Sequence, residues 1–287
     1  MTHLRAHFLP VLVFVLALFT TPAFAQQRPL VTEDPEVVGP GRLLVEGGVD
    51  WERDVFYPVS GLRGNRLSVP TFGVSVGLSS IAEIQIDGSF YQRLDIKERR
   101  TAPLAELVTT TSNRTHDVED LVLATKIRLF GETDTGRPAM ALRFATKLPN
   151  ASNEAGFGTD MTDFFASLLV ARTIQSIRVV GNAGVAILGD PVSPVPAQND
   201  LLTLGLSVAR ALTTSTEVVG EINGRLNLAN GDPSPGGENR AVMRFGGRYT
   251  YRTVRLDAAV LLGMTPRDPD FGVTAGFTWV FDAFSVP

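Results

Sequence analysis

The sequence predicts an all-β protein, a closed antiparallel transmembrane β-barrel of about twelve strands, and three observations carry that expectation. Apolar and polar residues alternate in segments of about ten, the length at which a tilted strand crosses a bilayer. The connections between these segments are short and long by turns, as in a barrel whose two ends face different compartments. Past the first 25 residues no apolar stretch approaches the roughly 20 residues of a membrane helix, so any crossing has to be made by strands.

The first 25 residues read as a cleavable signal peptide. Arg5 supplies a positive start, Leu9 to Phe19 an apolar run, and Ala23-Phe24-Ala25 the small residues of a cleavage site. The run breaks at Thr20, Thr21 and Pro22, too early for an anchor helix. Residues 26–41 then form a periplasmic segment that either plugs the barrel mouth or simply leads into the first strand, and residues 42–287 form the barrel.

Twelve segments alternate: 42–53, 66–77, 81–93, 118–130, 138–148, 161–172, 176–188, 200–211, 215–227, 240–251, 253–263 and 271–281. In the first, Leu43, Val45, Val49 and Trp51 oppose Glu46, Asp50 and Glu52, and in the last, Phe271, Val273, Phe277, Trp279 and Phe281 oppose Gly272, Thr274, Gly276 and Thr278. A soluble sandwich alternates too, so the loops discriminate better. Leu78 to Ser80, Thr173 to Gln175, Leu212 to Thr214 and Arg252 are short, with Gly131 to Arg137 longer. Asp54 to Asn65, Leu94 to Asp117, Pro149 to Asp160, Gly189 to Asn199 and Leu228 to Asn239 are long, and Met264 to Asp270 is intermediate. Trp51, Tyr91, Tyr249, Tyr251, Trp279 and Phe281 fall near strand ends, where rings favour the membrane interface. Three features sit awkwardly: Pro70 inside a strand, apolar Phe165 and Leu169 on the inward face, and Arg210 on the outward one.

Composition narrows the function. Without the signal peptide the chain carries 25 basic and 30 acidic residues, a net charge of −5, which is no footprint for nucleic acid. There is no cysteine, hence no disulfide and no thiolate ligand. Beyond residue 25 the only histidine is His116, beside Asp117 and near Asp120, with Ser112 in a Thr/Ser stretch. This gives no oriented nucleophile, base and third group, so no enzyme and no cofactor is expected. Asp232, Glu238, Asp268 and Asp270 are hard-oxygen candidates for calcium, but lack a binding-loop spacing and read as solvated loops.

The inward charges are the functional lead, because ionisable residues in membrane-spanning segments face a wet interior and pair or line a pathway. Glu46, Asp87, Lys126, Arg143, Lys147, Glu217, Glu221, Arg225, Arg244, Arg248, Arg255 and Asp257 are expected to share one lumen. Twelve strands lie between the eight that side chains fill and the sixteen that leave a channel, so an open path and a packed salt-bridge network both remain open. The first makes a passive channel for small solutes. The second makes a non-conducting structural or adhesive barrel whose outer loops bind ligands, and an outer-membrane enzyme comes third.

The last segment, with Gly276, Trp279 and Phe281, resembles the terminal signal that outer-membrane barrels present to their assembly machinery, although six residues follow Phe281. More widely, Glu33-Asp34, Gly39, Gly41, Glu46, Asp120 to Leu123, Lys126, Lys147-Leu148-Pro149, Gly158-Thr159-Asp160, Gly181 to Gly184, Glu217, Glu221 and Gly246-Gly247-Arg248 resemble one family. It is the family of outer-membrane barrels named as transporters of the meta pathway of phenol degradation. The resemblance implies an outer-membrane lipid environment and transport of a small solute, with aromatic compounds suggested by the family label. It does not name the solute.

Overall fold

The computed structural model describes residues 28–193, 195, 197–229 and 233–285. The expected signal peptide, residues 1–25, lies outside them. The described chain is fourteen strands with a single 3-10 turn, Ala105–Leu107. In order they are β1 (Arg42–Phe56), β2 (Leu62–Gly77), β3 (Ala82–Ser89), β4 (Gln92–Arg99), β5 (Arg114–Asp117), β6 (Val122–Phe130) and β7 (Ala139–Lys147). There follow β8 (Asp163–Ile174), β9 (Ile177–Gly189), β10 (Gln198–Ala211), β11 (Thr216–Asn227), β12 (Arg240–Tyr251), β13 (Val254–Gly263) and β14 (Phe271–Asp282).

Every pairing is antiparallel, and the sheet closes. β1 pairs with β14 from Arg42↔Asp282 to Arg53↔Phe271, and on its other side with β2 from Leu43↔Val76 to Phe56↔Arg63. β3 and β4 lie end to end along β2, and β5 and β6 continue each other in the same way, so fourteen strands make twelve staves. Closure satisfies the backbone within the wall, which lipid requires.

The bulge in β2 and the break between β3 and β4 both lie at Pro70. A proline cannot donate to a ladder. Ser68 pairs with Asp50 but Thr71 with Gly48, so Val69 and Pro70 bulge against a single residue of β1. On the far side the partner stave breaks as well, and Phe90 N–H and Tyr91 C=O bond to Pro70 C=O and Val69 N–H at 3.2 and 2.8 Å.

The strands run past the expected bounds at one end. β2 begins at Leu62 rather than 66, and the third and fourth staves meet over Gln92–Arg99 and Arg114–Asp117, segments expected, apart from Gln92 and Arg93, to be loop. Burial explains the extension: Leu62 and Leu94 are fully covered, and residues 149–160 fold down on them through Ser60 Oγ to Gly156 C=O and Thr115 Oγ1 to Ala155 C=O. The opposite end has tight turns, two of them turning on Gln175 and Arg252 at φ 56° and 58°.

Burial is inverted relative to a soluble sandwich. Phe245 is 47% exposed and Leu206 50%, whereas Lys126, on the other face of the wall, is 0% exposed. Ile84, Leu123, Phe144, Phe164, Val185 and Leu256 extend the apolar exterior around the staves. Tyr249, Tyr251 and Trp279 lie toward the short-turn end, while Phe90 and Tyr91 are exposed at mid-stave beside Pro70. Arg210 does point outward, close to the short turn Leu212–Ser215, where its stem can lie along lipid and its head reach the headgroups.

An arginine facing lipid at mid-membrane costs about 2–4 kcal/mol. Phe245→Arg should lose that much in urea unfolding from lipid vesicles, and Val242→Arg, facing the lumen three residues away, clearly less; equal losses would remove the outward face from lipid. The long loops should face outside, so Ser112→Cys should react with a membrane-impermeant maleimide on intact cells and Gln175→Cys should not.

Candidate functional site

The interior is occupied by residues of the chain that precede the first strand. Residues 28–41 precede β1 and turn back into the barrel from the short-turn end, where Gly39 and Gly41 take φ of 96° and 72°, a conformation that favours glycine. The segment then meets wall after wall. Val38 N–H donates to Glu83 of β3 at 2.6 Å, and Glu36 pairs with Arg128 of β6 at 2.6 Å. Asp34 takes both sides of the Arg178 guanidinium of β9, at 2.5 and 2.7 Å. Glu33 lies between Lys126 of β6 at 3.4 Å and Arg143 of β7 at 3.1 Å. Val31 and Thr32 N–H groups both donate to Glu221 of β11, at 3.0 and 2.9 Å. A segment bonded to walls on every side lies across the lumen.

The described part of the segment starts at Arg28, and the charges are arranged by sign. Three acids, Glu33, Asp34 and Glu36, meet a basic ring of Arg128, Lys126, Arg143 and Arg178, while Arg28 meets an acidic socket. That socket is Asp257 at 3.5 Å and Asp50 at 3.9 Å, with Thr71 and Thr274 accepting at 3.2 and 2.9 Å. Gly276 belongs to it: a Cβ there would stand 2.6 Å from Arg28 Nε, and one on Gly48 would also strike the guanidinium. Gly276 thus faces the lumen, while Trp279 points outward and stacks on Phe281 at 4.3 Å.

The twelve inward candidates fall into clusters. Lys126, Arg143, Glu221 and Arg244 hold the segment or its partners, Arg244 reaching Glu221 at 2.8 Å. Asp87 faces Arg143 at 3.7 Å, and Glu46 accepts from Thr278 Oγ1 at 3.0 Å and from Arg28 N–H. Asp257 receives Arg28. Near the short turns Arg248 and Arg255 share Glu217 at 3.5 and 3.9 Å, and Arg248 also donates to Arg28 C=O at 2.8 Å. Near the long loops Lys147 bridges Asp120 and Asp163 at 2.8 and 3.0 Å. Arg225 stands apart, donating only to main-chain oxygens of Glu238 and Gly236.

Sequence reasoning left out the partners. Glu83 and Gln85 alternate with Ile84 and Ile86, a pattern that marks them as inward, and Arg178 alternates likewise with Ile177 and Val179. Nothing in the spacing shows that Glu33 and Asp34 would reach them. Phe165 and Leu169 do face inward, Leu169 fully buried and Phe165 packed on Ala186, Leu188 and Leu201. They form one side of a chamber of about 550 Å³ above the segment, floored by Val31, Thr32 and Glu33. A second cavity of about 430 Å³ lies beside Arg28, lined by Glu46, Asp50, Asp87 and Arg143.

Of the remaining candidates, Asp232 lies outside the described residues, while His116, Asp117, Glu238 and Asp268 have ordinary partners. His116 is exposed and lies against Tyr91, centroids 5.8 Å apart, while Asp117 accepts from Ser152 N–H and Oγ–H. Asp268 is buried accepting from Thr265 and Ala241, and Glu238 accepts from Gly236 N–H. No group of potential metal ligands forms among the described residues.

Removing one member of a buried ion cluster costs about 3–5 kcal/mol, because its partners stay charged. Lys126→Met should therefore lose that much in vesicle unfolding, and adding Glu83→Gln should restore part of it. A loss near the roughly 0–1 kcal/mol of a solvated pair would mean that the segment is not seated against the wall.

No protein-family model matches the chain, and no curated protein matches it in sequence. Among solved structures, the COG4313 outer membrane channel from Pseudomonas putida F1 superposes with a TM-score of 0.61 at 11% identity, over 86% of this chain and 98% of its own. The NanC porin superposes at 0.49 with 10% identity, over 83% and 98%. The toluene transporter TbuX of Ralstonia pickettii does so at 0.39 with 9% identity, over 88% and 92%. The first likeness is one of fold, a single-chain barrel of the same span. Together with the apolar exterior, it identifies the chain as a β-barrel of the bacterial outer membrane.

Proposed function

We propose that the barrel is a passive conduit for small solutes, and that residues 28–41 are its plug. The observation that carries this reading is that residues 28–41 of the chain itself, and not wall side chains alone, occupy the lumen, with chambers of about 550 and 430 Å³ beside them. A barrel of this width built only for rigidity has no need to leave such space. The segment is held mainly by polar contacts, which exchange for water far more readily than a packed apolar core, with one apolar contact where Val38 packs against Leu44 and Val280. The apolar flank at Phe165 and Leu169 suits solutes with hydrocarbon or aromatic bodies, in keeping with the family resemblance. We assign no enzymatic role.

A second reading, a non-conducting barrel that displays a binding surface, draws on the cap where Thr109 N–H bonds to Glu154 C=O and Ser60 Oγ to Gly156 C=O. Planar-bilayer recording separates the two. Deleting residues 28–36 should raise single-channel conductance several-fold over wild type. It should also shift the reversal potential toward anion selectivity, because the deletion takes Glu33, Asp34 and Glu36 from beside Lys126, Arg128, Arg143 and Arg178 and removes only one cation, Arg28. A folded deletion variant that conducts no better than bare lipid would leave only the display reading. Arg28→Ala, which loosens one end, should give an intermediate conductance.

A further inference from the structure

We propose that Arg225 and Arg240 form, in the chamber at the long-loop end, a binding site for a small organic monoanion with a hydrocarbon body. The proposal rests on the conduit reading and names the class of solute.

The two arginines are direct cross-strand partners on the inward faces of β11 and β12. Like charges placed opposite each other destabilise a sheet unless something neutralises them. Elsewhere in the lumen something does: Lys126, Arg143, Arg178, Arg244, Arg248 and Arg255 each have a carboxylate oxygen within 3.9 Å. Among the described residues, Arg225 and Arg240 have none. Arg225 makes two bonds to loop carbonyls, at 3.2 and 2.6 Å. Arg240 makes a single long one, to Phe56 C=O at 3.4 Å, and its Nε is buried with no acceptor. A guanidinium carries five N–H donors, so most of the pair's capacity is unused.

Both side chains line the chamber of about 550 Å³, a size suited to a small-molecule ligand. Its remaining wall has two characters. Phe165, Leu169, Val242 and Leu261 are apolar, and Leu169 has no solvent exposure. Asp268, also in the lining, offsets one of the two positive charges. Glu52 is matched by Arg66, and Glu33 by Arg143 and Lys126. Within the lining the balance is one unmatched positive charge beside an apolar surface, with the Glu238 carboxylate attracting Arg225 from outside it. A carboxylate fits the guanidinium fork with paired hydrogen bonds, and its hydrocarbon part covers Phe165 and Val242, behind which Leu169 is buried. A neutral solute would leave the arginines facing each other, and an inorganic anion would leave the apolar side wet.

The test is calorimetry on the full-length barrel with hexanoate, the neutral hexanamide and the short acetate, alongside bilayer conductance in potassium chloride. Hexanoate should bind, and hexanamide and acetate each at least about tenfold more weakly. Arg240→Gln should cost hexanoate about tenfold or more and erase its advantage over hexanamide, while Arg240→Lys should recover part of it. Phe165→Ala should weaken hexanoate and leave acetate unchanged. Arg225→Gln is the less clean variant, since Arg225 also anchors its own loop. Hexanoate and hexanamide binding alike, or Arg240→Gln without effect in a folded barrel, would overturn the site. A conducting barrel that ignores hexanoate refutes the site alone, whereas binding without conductance in wild type or the plug deletion refutes the conduit and leaves the site standing.

Discussion

The molecule depends on β1 being paired along both edges. Lipid offers no partner for a backbone N–H, so a sheet can sit in the membrane only if its first and last strands meet. Once β1 bonds to both β2 and β14, the wall divides space into two, and every second residue belongs to an interior that no longer touches lipid. Acids and bases are tolerated there and apolar side chains outside, which is why Lys126 and Phe245 have burials opposite to those of a soluble protein. The charge clusters, the seated segment and the chambers all follow from that division.

Within that interior, charge sets the position of the segment. Glu33, Asp34 and Glu36 lie where Lys126, Arg128, Arg143 and Arg178 converge, and Arg28 where Asp50 and Asp257 do. Reversing the direction of the peptide would set acid against acid at one end and base against base at the other. Buried ion pairs contribute little net stability once desolvation is counted, but mismatching them is costly. Their effect here is to select one placement of the segment over its alternatives.

Most of the architecture was legible because period-two alternation and loop asymmetry are local. The β12 pattern, with Arg240, Arg244 and Arg248 against Phe245 and Tyr249, assigns its two faces without any knowledge of its neighbours. Pro70 announced an irregularity, though not that the partner stave would break opposite it. The strand ends at Leu62 and Leu94 were missed because their burial comes from residues 149–160, distant in sequence. Membership of the site was half legible for the same reason. Facing is a property of one strand, whereas the bond from Asp34 to Arg178 spans 144 positions and has no trace in either local pattern. Gly276 was noticed for its place in the last strand, but a side chain there would meet Gly47 C=O of β1 and the Arg28 guanidinium, and the second of these is not shown by pairing.

The way the wall holds the segment bears on which substitutions it tolerates. Glu83 and Glu221 grip main-chain N–H groups, those of Val38, Val31 and Thr32. Such a grip is indifferent to the identity of the side chain it holds, and Val31 leaves 43% of its surface exposed. Position 31 is therefore free to drift among most residues so long as Glu221 stays. Proline is the exception, since it has no N–H to offer. The chain's own prolines nearby, Pro29 and Pro35, fall at positions where the wall makes no such demand, so here the lumen constrains the backbone more tightly than the residues it carries.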